Sequence, residues 1–449
     1  MPRLDPRARP VNDTGQRPTN ETPSVIRKAT PRATAAVPRV TMSEGTRSTV
    51  TPNPLNTPSS RPSPSTTPTA SAGLWPAWII QPPTTAQQPG VTAVTLADSD
   101  FAKSPPVLDH CRKDPRLTLL TLDARDHAAV RKAMDGHAAV MCALPYYFNL
   151  DMTRLAIDAG AHFSDLGGNT EIVTRQKLLE GQARAKGVTV IPDCGLAPGM
   201  VNILAQMGIS RCDRTESVRI YVGGLPQHPE GVLKYQVVYS LEGVLDYYTT
   251  LCWVVRGGKR VNIEALSEIE PVEFASPVGT LEAFHTAGGL STMAYRYEGK
   301  IPTMEYKTLR YPGHAQLMAA IRELGFLDNT PVDVKGASIV PRDLTISVLK
   351  PRLTKPAGRD LVALRVVVEG ESAGRRVRHE WELVDRYDEA HHVSAMERTT
   401  GYSLSITGLM QAAGSITPVG VHTPDEAVPG DAYVTELATR GIAIRYRTA

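Results

Sequence analysis

Several aspartates in this sequence directly follow short apolar runs, which places carboxylates where small ligands can bind. The aspartates are Asp98, Asp123, Asp165 and Asp193, and Pro145 closes a further run of the same kind. If the runs are strands of one parallel sheet, their carboxyl ends share an edge, and ligands bind in the crevice outside that edge. Carboxylates there can accept hydrogen bonds from hydroxyl groups or pair with a cationic substrate. We therefore predict a small-molecule site at this edge.

The runs that carry these residues alternate with helical patterns. The predicted strands are 91–97, 117–122, 138–144, 162–165 and 188–192, and the predicted helices are 127–134, 150–159 and 171–186. Apolar strands that alternate with helices of about ten residues indicate a parallel sheet covered on both faces. After residue 200 the strands become longer, and 361–368 pairs with 379–384 across Gly374. The sequence thus predicts an α/β fold, with a parallel sheet followed by a second α/β domain that has a mixed sheet.

Charge and cysteine content restrict the functional class. Residues 1–72 carry ten Lys or Arg and four Asp or Glu, which is +6, so the remainder carries 3 − 6 = −3. The Pro/Ser/Thr-rich segment 1–72 is predicted to be disordered, because it cannot bury enough apolar surface. The five cysteines are scattered and form no CxxC pair, which predicts reduced thiols, a cytoplasmic protein and no metal site. We expect neither nucleic-acid binding nor a membrane span.

A dinucleotide site of this fold needs a first strand and then G-x-G-x-x-G at the start of a helix. With Asp98 as the acid that accepts from the ribose, the loop should fall near residues 71–78. That segment reads Ser71-Ala72-Gly73-Leu74-Trp75-Pro76-Ala77-Trp78, with one glycine. One hypothesis is a shifted reading frame, since a Trp codon read one base ahead encodes glycine. A divergent natural extension is the alternative.

From about Val91 the sequence resembles the saccharopine dehydrogenase family, and within it most of all the lysine 6-dehydrogenases. The motifs that carry the resemblance are Val94-Thr95-Leu96-Ala97-Asp98, Ala143-Leu144-Pro145-Tyr146, Asp165-Leu166-Gly167-Gly168, Leu196-Ala197-Pro198-Gly199-Met200, Tyr221-Val222-Gly223-Gly224-Leu225-Pro226, Ser240-Leu241-Glu242-Gly243, Leu281-Glu282-Ala283-Phe284-His285-Thr286 and Tyr306-Lys307-Thr308-Leu309-Arg310-Tyr311. The resemblance implies a Rossmann-like sheet, here with its first strand and glycine loop disrupted. It also implies oxidation of the ε-amine of L-lysine to the semialdehyde, and a homo-oligomer.

The predicted segments follow from this resemblance and from the patterns above. Residues 1–72 are the extension, and 73–200 are an incomplete dinucleotide-binding domain. Residues 201–405 form a substrate and dimerisation domain, and 406–449 return to the first domain.

Amine oxidation requires a base, because an ammonium group has no lone pair to assist hydride departure. His285 is the first candidate, since the following Gly288-Gly289 pair indicates a close approach of the backbone. Glu242 and Asp193 are alternatives. Each of these residues could instead be structural: a buried core histidine, or a carboxylate that caps a turn or helix.

The α-carboxylate of the substrate requires a cation, for which Arg310 and Lys307 are the candidates. Side chains alternate along a strand, so Arg310 and Lys307 point to opposite faces. Tyr239 and Thr286 are further candidates for substrate contact. A surface or inter-domain salt bridge is the alternative role for Arg310, and core packing is the alternative for Tyr239.

On the cofactor side, Asp98 is expected at the adenosine ribose and Asp123 near the adenine. Ala143, Leu144 and Pro145 are expected beside the nicotinamide, and Asp165 is a further candidate for cofactor binding. An acid at position 98 without an adjacent basic residue favours NAD over NADP, whose 2′-phosphate it would repel.

Two other functions remain open from the sequence. One is saccharopine dehydrogenase activity, which uses the same fold on a larger substrate. The other is a non-catalytic remnant that binds an amino acid without the dinucleotide.

Overall fold

The computed structural model of this protein describes residues 39–40, 88, 90–99, 101 and 114–449, with only the backbone of 39–40. All of them lie in one unit, Thr34–Ala449. The strands, numbered β1 to β18, are Arg39–Val40, Val94–Asp98, Leu117–Thr121, Ala139–Cys142, His162–Asp165, Thr189–Ile191, Arg214–Pro226, Cys252–Arg256, Lys259–Ile263, Glu270–Glu273, Thr280–His285, Thr303–Arg310, Val332–Val334, Ala337–Ile339, Asp360–Ser372, Arg375–Arg386, Gly420–Val421 and Arg445–Thr448. The α-helices, numbered α1 to α12, are His127–Ala133, Asn149–Ala159, Thr170–Lys177, Glu180–Lys186, Met200–Ile209, Leu241–Thr249, Met293–Arg296, His314–Glu323, Pro341–Leu353, Ala395–Ala412, Pro424–Ala427 and Gly430–Thr439.

The first sheet has the strand order β17-β6-β5-β4-β1-β2-β3. Strands β2 and β3 are parallel, as are β4, β5, β6 and β17 in succession. All four residues of β4 are fully buried, as expected for a strand covered by helices on both faces. The predicted parallel α/β sheet is therefore confirmed.

Strand β1 occupies the central position of this sheet. Arg39 pairs with Thr95 on one side and with Val140 on the other, antiparallel to both neighbours. The carboxyl end of β1 therefore points to the edge opposite that of β2 and β4. The rest of the predicted extension 1–72, and the predicted loop position 71–78, lie outside the described residues.

The second sheet is mixed, with the order β10-β11-β12-β7-β15-β16-β18 and with β8 and β9 branching from β12. Strand β12 is parallel to β7, whereas the other pairings are antiparallel. Strands β15 and β16 form the predicted hairpin, in which Ser372 pairs with Arg375 across a two-residue turn. The turn residues Ala373 and Gly374 have φ of 49° and 73°, the backbone that a tight hairpin turn requires. The predicted second domain with a mixed sheet is confirmed.

Helix α10 connects the two sheets. Asp360, at the start of β15, accepts hydrogen bonds from the backbone N–H of Ala395 and Met396 at 2.8 and 2.9 Å. At the other end, Gln411 Nε2 donates to the carbonyl oxygens of Phe163 and Thr189, both at 3.0 Å. The predicted boundary between 405 and 406 falls inside this helix. Beyond it, β17 joins the first sheet and β18 joins the second.

The helix predicted over 171–186 is divided into α3 and α4. Leu178 is 79% exposed at the break, whereas Leu179 is buried. The break lets Gln176, on the last turn of α3, reach into the core while the chain turns to bury Leu179. Within the described residues, no helix combines the length and apolar content needed to cross a bilayer.

Candidate functional site

Two buried carboxylates, Asp165 and Asp193, meet at the carboxyl edge of the first sheet. Asp165 Oδ1 accepts from the backbone N–H of Gly167 at 2.7 Å and of Asp193 at 3.2 Å. Gln176 Nε2 donates to Asp165 Oδ2 at 2.7 Å. The backbone N–H of Gly168 donates to Asp193 Oδ1 at 3.3 Å. The sequence predicts both aspartates at this edge, and the structure joins them through the hydrogen bond from the Asp193 backbone to the Asp165 carboxylate.

Burial changes the acidity of both groups. It raises the pKa of Asp165 to about 6. Burial and the nearby charge of Asp165 raise the pKa of Asp193 to about 7. A carboxyl group with a pKa near neutrality can accept and release a proton at physiological pH.

Ser291 joins this pair to the second sheet, because its hydroxyl donates to Asp193 Oδ2. The loop that carries Ser291 follows β11, and Asn202 of α5 holds it. Asn202 Nδ2 donates to the carbonyl oxygens of Gly289 and Leu290 at 3.1 and 3.3 Å. The carboxylate pair therefore lies where the two sheets meet.

Tyr247 of α6 packs against backbone on both sides of this junction. A Cβ on Gly168 would lie 3.3 Å from the Tyr247 hydroxyl, and one on Gly288 would lie 3.1 Å from its ring. A Cβ on Gly289 would lie 2.3 Å from the ring of Tyr306. The Gly288-Gly289 pair thus permits the close approach that the sequence predicted, with tyrosine rings as the approaching groups.

His285 lies in a cluster with Glu268, Glu305 and Arg256, here called the His285 cluster. Its Nδ1 is 3.2 Å from the carbonyl oxygen of Tyr306, and its Nε2 is 3.1 Å from Glu268 Oε2. Arg256 Nη2 contacts Glu268 Oε2 at 3.0 Å and Glu305 Oε2 at 2.5 Å. Burial lowers the pKa of His285. Both ring nitrogens of this candidate base therefore already have protein partners.

The His285 cluster also has the donor set of a metal site. One ligand atom each from Glu268, His285 and Glu305 lies within 4.8 Å of the others. The guanidinium of Arg256 occupies the position of a cation between the two carboxylates. The cluster is thus charge-compensated by the protein itself.

Lys307 and Thr286 extend this cluster along β11 and β12. Lys307, which is opposite His285 in the pairing register, contacts the carbonyl oxygen of Glu268 at 2.7 Å and Glu270 Oε1 at 2.9 Å. The hydroxyls of Thr286 and Thr308 are 2.7 Å apart. Lys307 is therefore satisfied by protein groups.

Arg310 has a different environment, formed by Tyr235, Tyr239 and Tyr248, here called the tyrosine cage. The guanidinium carbon lies 4.9 Å from the centre of the Tyr235 ring, and Nη1 donates to the Leu309 carbonyl at 2.8 Å. Arg310 is 2% exposed, and its Nε is buried without a hydrogen-bond partner. Although burial opposes the charge, the surrounding phenols raise the pKa of Arg310.

The carboxylate nearest in register to Arg310 is engaged elsewhere. Glu282 is the pairing partner of Arg310 on β11. Its two oxygens accept from the backbone N–H of Gly313 at 2.8 Å and of Ala315 at 2.6 Å, at the start of α8. A helix start attracts negative charge and has free N–H groups. Among the five Lys and Arg residues that are buried in the described part of the chain, Arg310 is the one without an ion pair.

Tyr239 and Glu242, the remaining substrate and base candidates, lie at the start of α6. Tyr239 is 36% exposed, so the tyrosine cage reaches the surface at this residue. Glu242 Oε1 pairs with Lys350 Nζ at 3.1 Å, and its side chain is 46% exposed. Its hydrogen bonds keep the pKa of Glu242 below the ordinary value despite partial burial, which disfavours proton uptake near neutral pH.

The cofactor candidates lie along the carboxyl edge of the first sheet. Asp98 ends β2 and is 6% exposed. Asp123 pairs with Arg125 at 2.5 Å, and this partner lowers the pKa of Asp123 to about 2. Ala143 and Leu144 are buried after β4. Pro145 then precedes the turn Tyr146–Phe148.

Sequence reasoning missed the residues that define the environment of Arg310. Tyr235, Tyr248, Glu282 and His314 were not singled out, because they come from separate segments that only the fold assembles. One signal was present in the sequence: Gly313 and His314 follow Arg310 closely and begin a helix.

Two family models match the chain. The model described as the saccharopine dehydrogenase NADP binding domain matches residues 82–191, and the one described as the saccharopine dehydrogenase C-terminal domain matches residues 195–442. Together they cover both sheets except β1 and β18, and Asp193 lies in the short gap between the two matches.

Curated relatives agree with these matches. A saccharopine dehydrogenase [NADP(+), L-glutamate-forming] of Schizosaccharomyces pombe is 25% identical over 54% of this chain and 56% of the relative. Its counterpart in Saccharomyces cerevisiae is 26% identical over 46% of this chain and 48% of the relative. A mitochondrial alpha-aminoadipic semialdehyde synthase of Mus musculus is 24% identical over 45% of this chain and 23% of the relative. The match thus spans about half or less of these proteins.

Solved structures show the same fold. Apo saccharopine dehydrogenase (L-Glu forming) from Saccharomyces cerevisiae matches with a TM-score of 0.68 and 20% identity, over 84% of this chain and 99% of that one. Homospermidine synthase from Legionella pneumophila, solved with NAD, matches with a TM-score of 0.54 and 11% identity, over 79% and 85%.

Proposed function

Since the chain belongs to the saccharopine dehydrogenase family, we propose that it oxidises the CH–NH group of an amino acid with a nicotinamide dinucleotide, and that the amino acid is L-lysine. The product would be the semialdehyde formed when the iminium of the ε-carbon is hydrolysed. The observation that carries this proposal is the unpaired, buried guanidinium of Arg310. A buried charge without a partner is costly, and a substrate carboxylate would supply the missing partner.

The tyrosine cage sets the orientation of such a substrate. With its carboxylate at Arg310, a lysine side chain would extend past Tyr248 and Tyr247 towards Gly168 and Asp193. Planar guanidinium groups bind carboxylates with two parallel hydrogen bonds. The substrate would therefore be fixed at one end while its amine reaches the junction of the two sheets.

We assign the proton-accepting role to Asp193 rather than to His285 or Glu242. His285 has partners at both ring nitrogens, and Glu242 is partly exposed and paired with Lys350. The raised pKa of Asp193, about 7, suits a group that must take a proton from an ammonium near neutral pH. The Ser291 hydroxyl, which donates to Asp193 Oδ2, can pass that proton from the side of the second sheet.

The described residues fit one part of a dinucleotide. Asp98, at the carboxyl end of β2, would accept from the ribose hydroxyls, and Ala143 and Leu144 would line the nicotinamide side. When bound, the oxidised nicotinamide supplies the hydride acceptor. We propose NAD as the cofactor because a carboxylate at Asp98 would repel a 2′-phosphate. Two of the relatives are named for NADP(+), so both dinucleotides are compared in the test below.

Saccharopine is the second candidate substrate, and the names of the relatives favour it. It carries three carboxylates, whereas Arg310 is the one buried cation without an ion pair in the described part of the chain. One buried cation without an ion pair matches the single carboxylate of lysine better than the three carboxylates of saccharopine.

The test is NADH binding to the purified full chain, followed by fluorescence, with L-lysine-driven reduction of NAD in the same sample. NADP and saccharopine are assayed in parallel. Arg310→Met should abolish the lysine-dependent rate at low substrate. Arg260→Met is the matched control, because Arg260 also stacks on aromatic rings, at 3.8 Å from Tyr295 and 4.7 Å from Trp253.

Saturable NADH binding with lysine turnover supports the proposal. Turnover of saccharopine alone would transfer the assignment to the second candidate. An absence of NADH binding would favour the non-catalytic remnant.

A further inference from the structure

His314 connects the tyrosine cage to the backbone. Its Nδ1 is 2.9 Å from the carbonyl oxygen of Leu233, and its Nε2 is 3.0 Å from the hydroxyl of Tyr248. A carbonyl oxygen can only accept, so the hydrogen of the ring lies on Nδ1. Nε2 then has no hydrogen, and Tyr248 must donate its own to it.

This arrangement determines whether the Tyr248 hydroxyl can donate or accept a hydrogen bond in the cage. Its single hydrogen is directed at His314, so its oxygen presents lone pairs to the rest of the cage. Arg310 is the cation in that direction. Burial raises the pKa of Tyr248, and the Arg310 charge offsets part of that rise. Tyr248 is therefore an acceptor for the guanidinium and cannot donate to a substrate carboxylate.

Two buried donors at the cage have no acceptor among the described residues. They are the hydroxyl of Tyr235 and Nε of Arg310. Two N–H or O–H donors match the two oxygens of one carboxylate. The Tyr235 hydroxyl and Arg310 Nε can thus donate to a carboxylate, while the Tyr248 oxygen accepts from the guanidinium.

The surroundings of His314 preserve this tautomer. Glu282 fixes the backbone on both sides of it through Gly313 and Ala315. Burial and the charge of Arg310 lower the pKa of His314 to about 3. The imidazole is therefore neutral throughout the physiological range.

We propose that His314 is a positioning residue, which orients the Tyr248 hydroxyl so that Tyr248 holds Arg310 in the geometry for a substrate carboxylate. The inference rests on the proposed role of Arg310 in carboxylate binding. It goes beyond that role by assigning the control of the guanidinium to a neutral histidine that touches no reacting atom.

The test compares L-lysine with 1,5-diaminopentane, which is lysine without its carboxylate. His314→Phe removes both hydrogen bonds at similar ring volume. We expect the KM for lysine to rise about tenfold, the effect of one hydrogen bond to a charged group. The kcat for lysine and the kcat/KM for 1,5-diaminopentane should stay within twofold of the unmodified chain.

Two further variants separate positioning from a general structural role. His314→Gln can accept from Tyr248 and should recover much of the lysine KM. Tyr248→Phe should have the same effect as His314→Phe, and the double variant should show no additional loss. Equal losses for both amines, or fully additive losses, would overturn the inference.

Binding measurements keep the inference distinct from the proposed activity. If the chain does not oxidise lysine, calorimetry measures the binding of lysine, saccharopine and glutamate to the unmodified chain and to His314→Gln and His314→Phe. Weaker carboxylate binding by His314→Phe alone would retain the inference while the proposed activity fails. If the unmodified chain binds none of these carboxylates, the inference is wrong.

Discussion

His285 and Arg310 lie on the neighbouring strands β11 and β12, yet the basic groups around them differ in whether a carboxylate neutralises their charge. In the cluster, Arg256 lies between Glu268 and Glu305, and His285 has a partner at each nitrogen. In the cage, Arg310 is surrounded by phenols and has no ion pair. The difference arises because the carboxylate of Glu282, which could have neutralised Arg310, is bound to the start of a helix. Arg310 is thus available to a ligand because the fold engages Glu282 elsewhere.

The largest expected effect comes from removing the unpaired charge. Arg310→Met should raise the KM for L-lysine roughly 100-fold, since truncating one partner of a buried charge pair costs about 2–5 kcal/mol. The melting temperature should not fall, because an uncompensated buried charge is removed. Steady-state kinetics and a thermal melt test this. A lower melting temperature with unchanged KM would mean that Arg310 is structural.

Replacement of His285 should lower stability and leave the KM for lysine unchanged, the reverse of what we expect for Arg310. We expect His285→Gln to reduce the free energy of unfolding by about 1–3 kcal/mol, because it leaves a buried group without its partner. The KM for lysine should remain within twofold. Denaturant unfolding and kinetics check both values. A loss of kcat above tenfold with normal stability would instead identify His285 as the base.

The pH dependence of activity reports on Asp193. If Asp193 accepts the proton, kcat/KM should rise with pH and level off above an inflection near 7, the raised pKa of this group. Asp193→Asn should abolish the rising limb. Arg260→Met, which leaves both aspartates intact, should keep it.

The same raised pKa values predict how stability varies with pH. Asp165 and Asp193 keep their protons in the folded state up to about 6 and 7, whereas in the unfolded chain they ionise near 3.8. The folded state therefore binds more protons over this window, and stability should fall as pH rises from about 4 to 7. Denaturant unfolding at several pH values measures this slope, which should be shallower in Asp165→Asn. An unchanged slope in that variant would contradict the assignment.

The smallest expected effect concerns Ser291. Its hydrogen bond favours the ionised form of Asp193, so Ser291→Ala should raise the inflection of kcat/KM by less than about one pH unit. Ser291→Thr retains a hydroxyl and should keep the inflection close to its original position. A downward shift in Ser291→Ala would show that Ser291 does not stabilise the carboxylate.

The sequence predicted the parts of this molecule that depend on local pattern. Apolar runs that end in aspartate located the edge of the first sheet, and alternation along β12 separated the environments of Lys307 and Arg310. The state of Arg310 depends on Tyr235, Tyr248 and Glu282, which no local pattern links to it. The roles of His285 and Asp193 were uncertain for the same reason. Hydrogen-bond partners and burial, which set both pKa values, are properties of the assembled fold.

Helix α10 also restricts how the two sheets can move relative to each other. Its first turn is bound to Asp360 of the second sheet, and its last turn is bound through Gln411 to the first sheet. Its 18 residues form a rod about 27 Å long, at 1.5 Å per residue. A rod fixed at both ends keeps the two sheets at constant separation. A swivel of one sheet about this axis would keep both sets of hydrogen bonds, whereas a widening of the gap would break one of them.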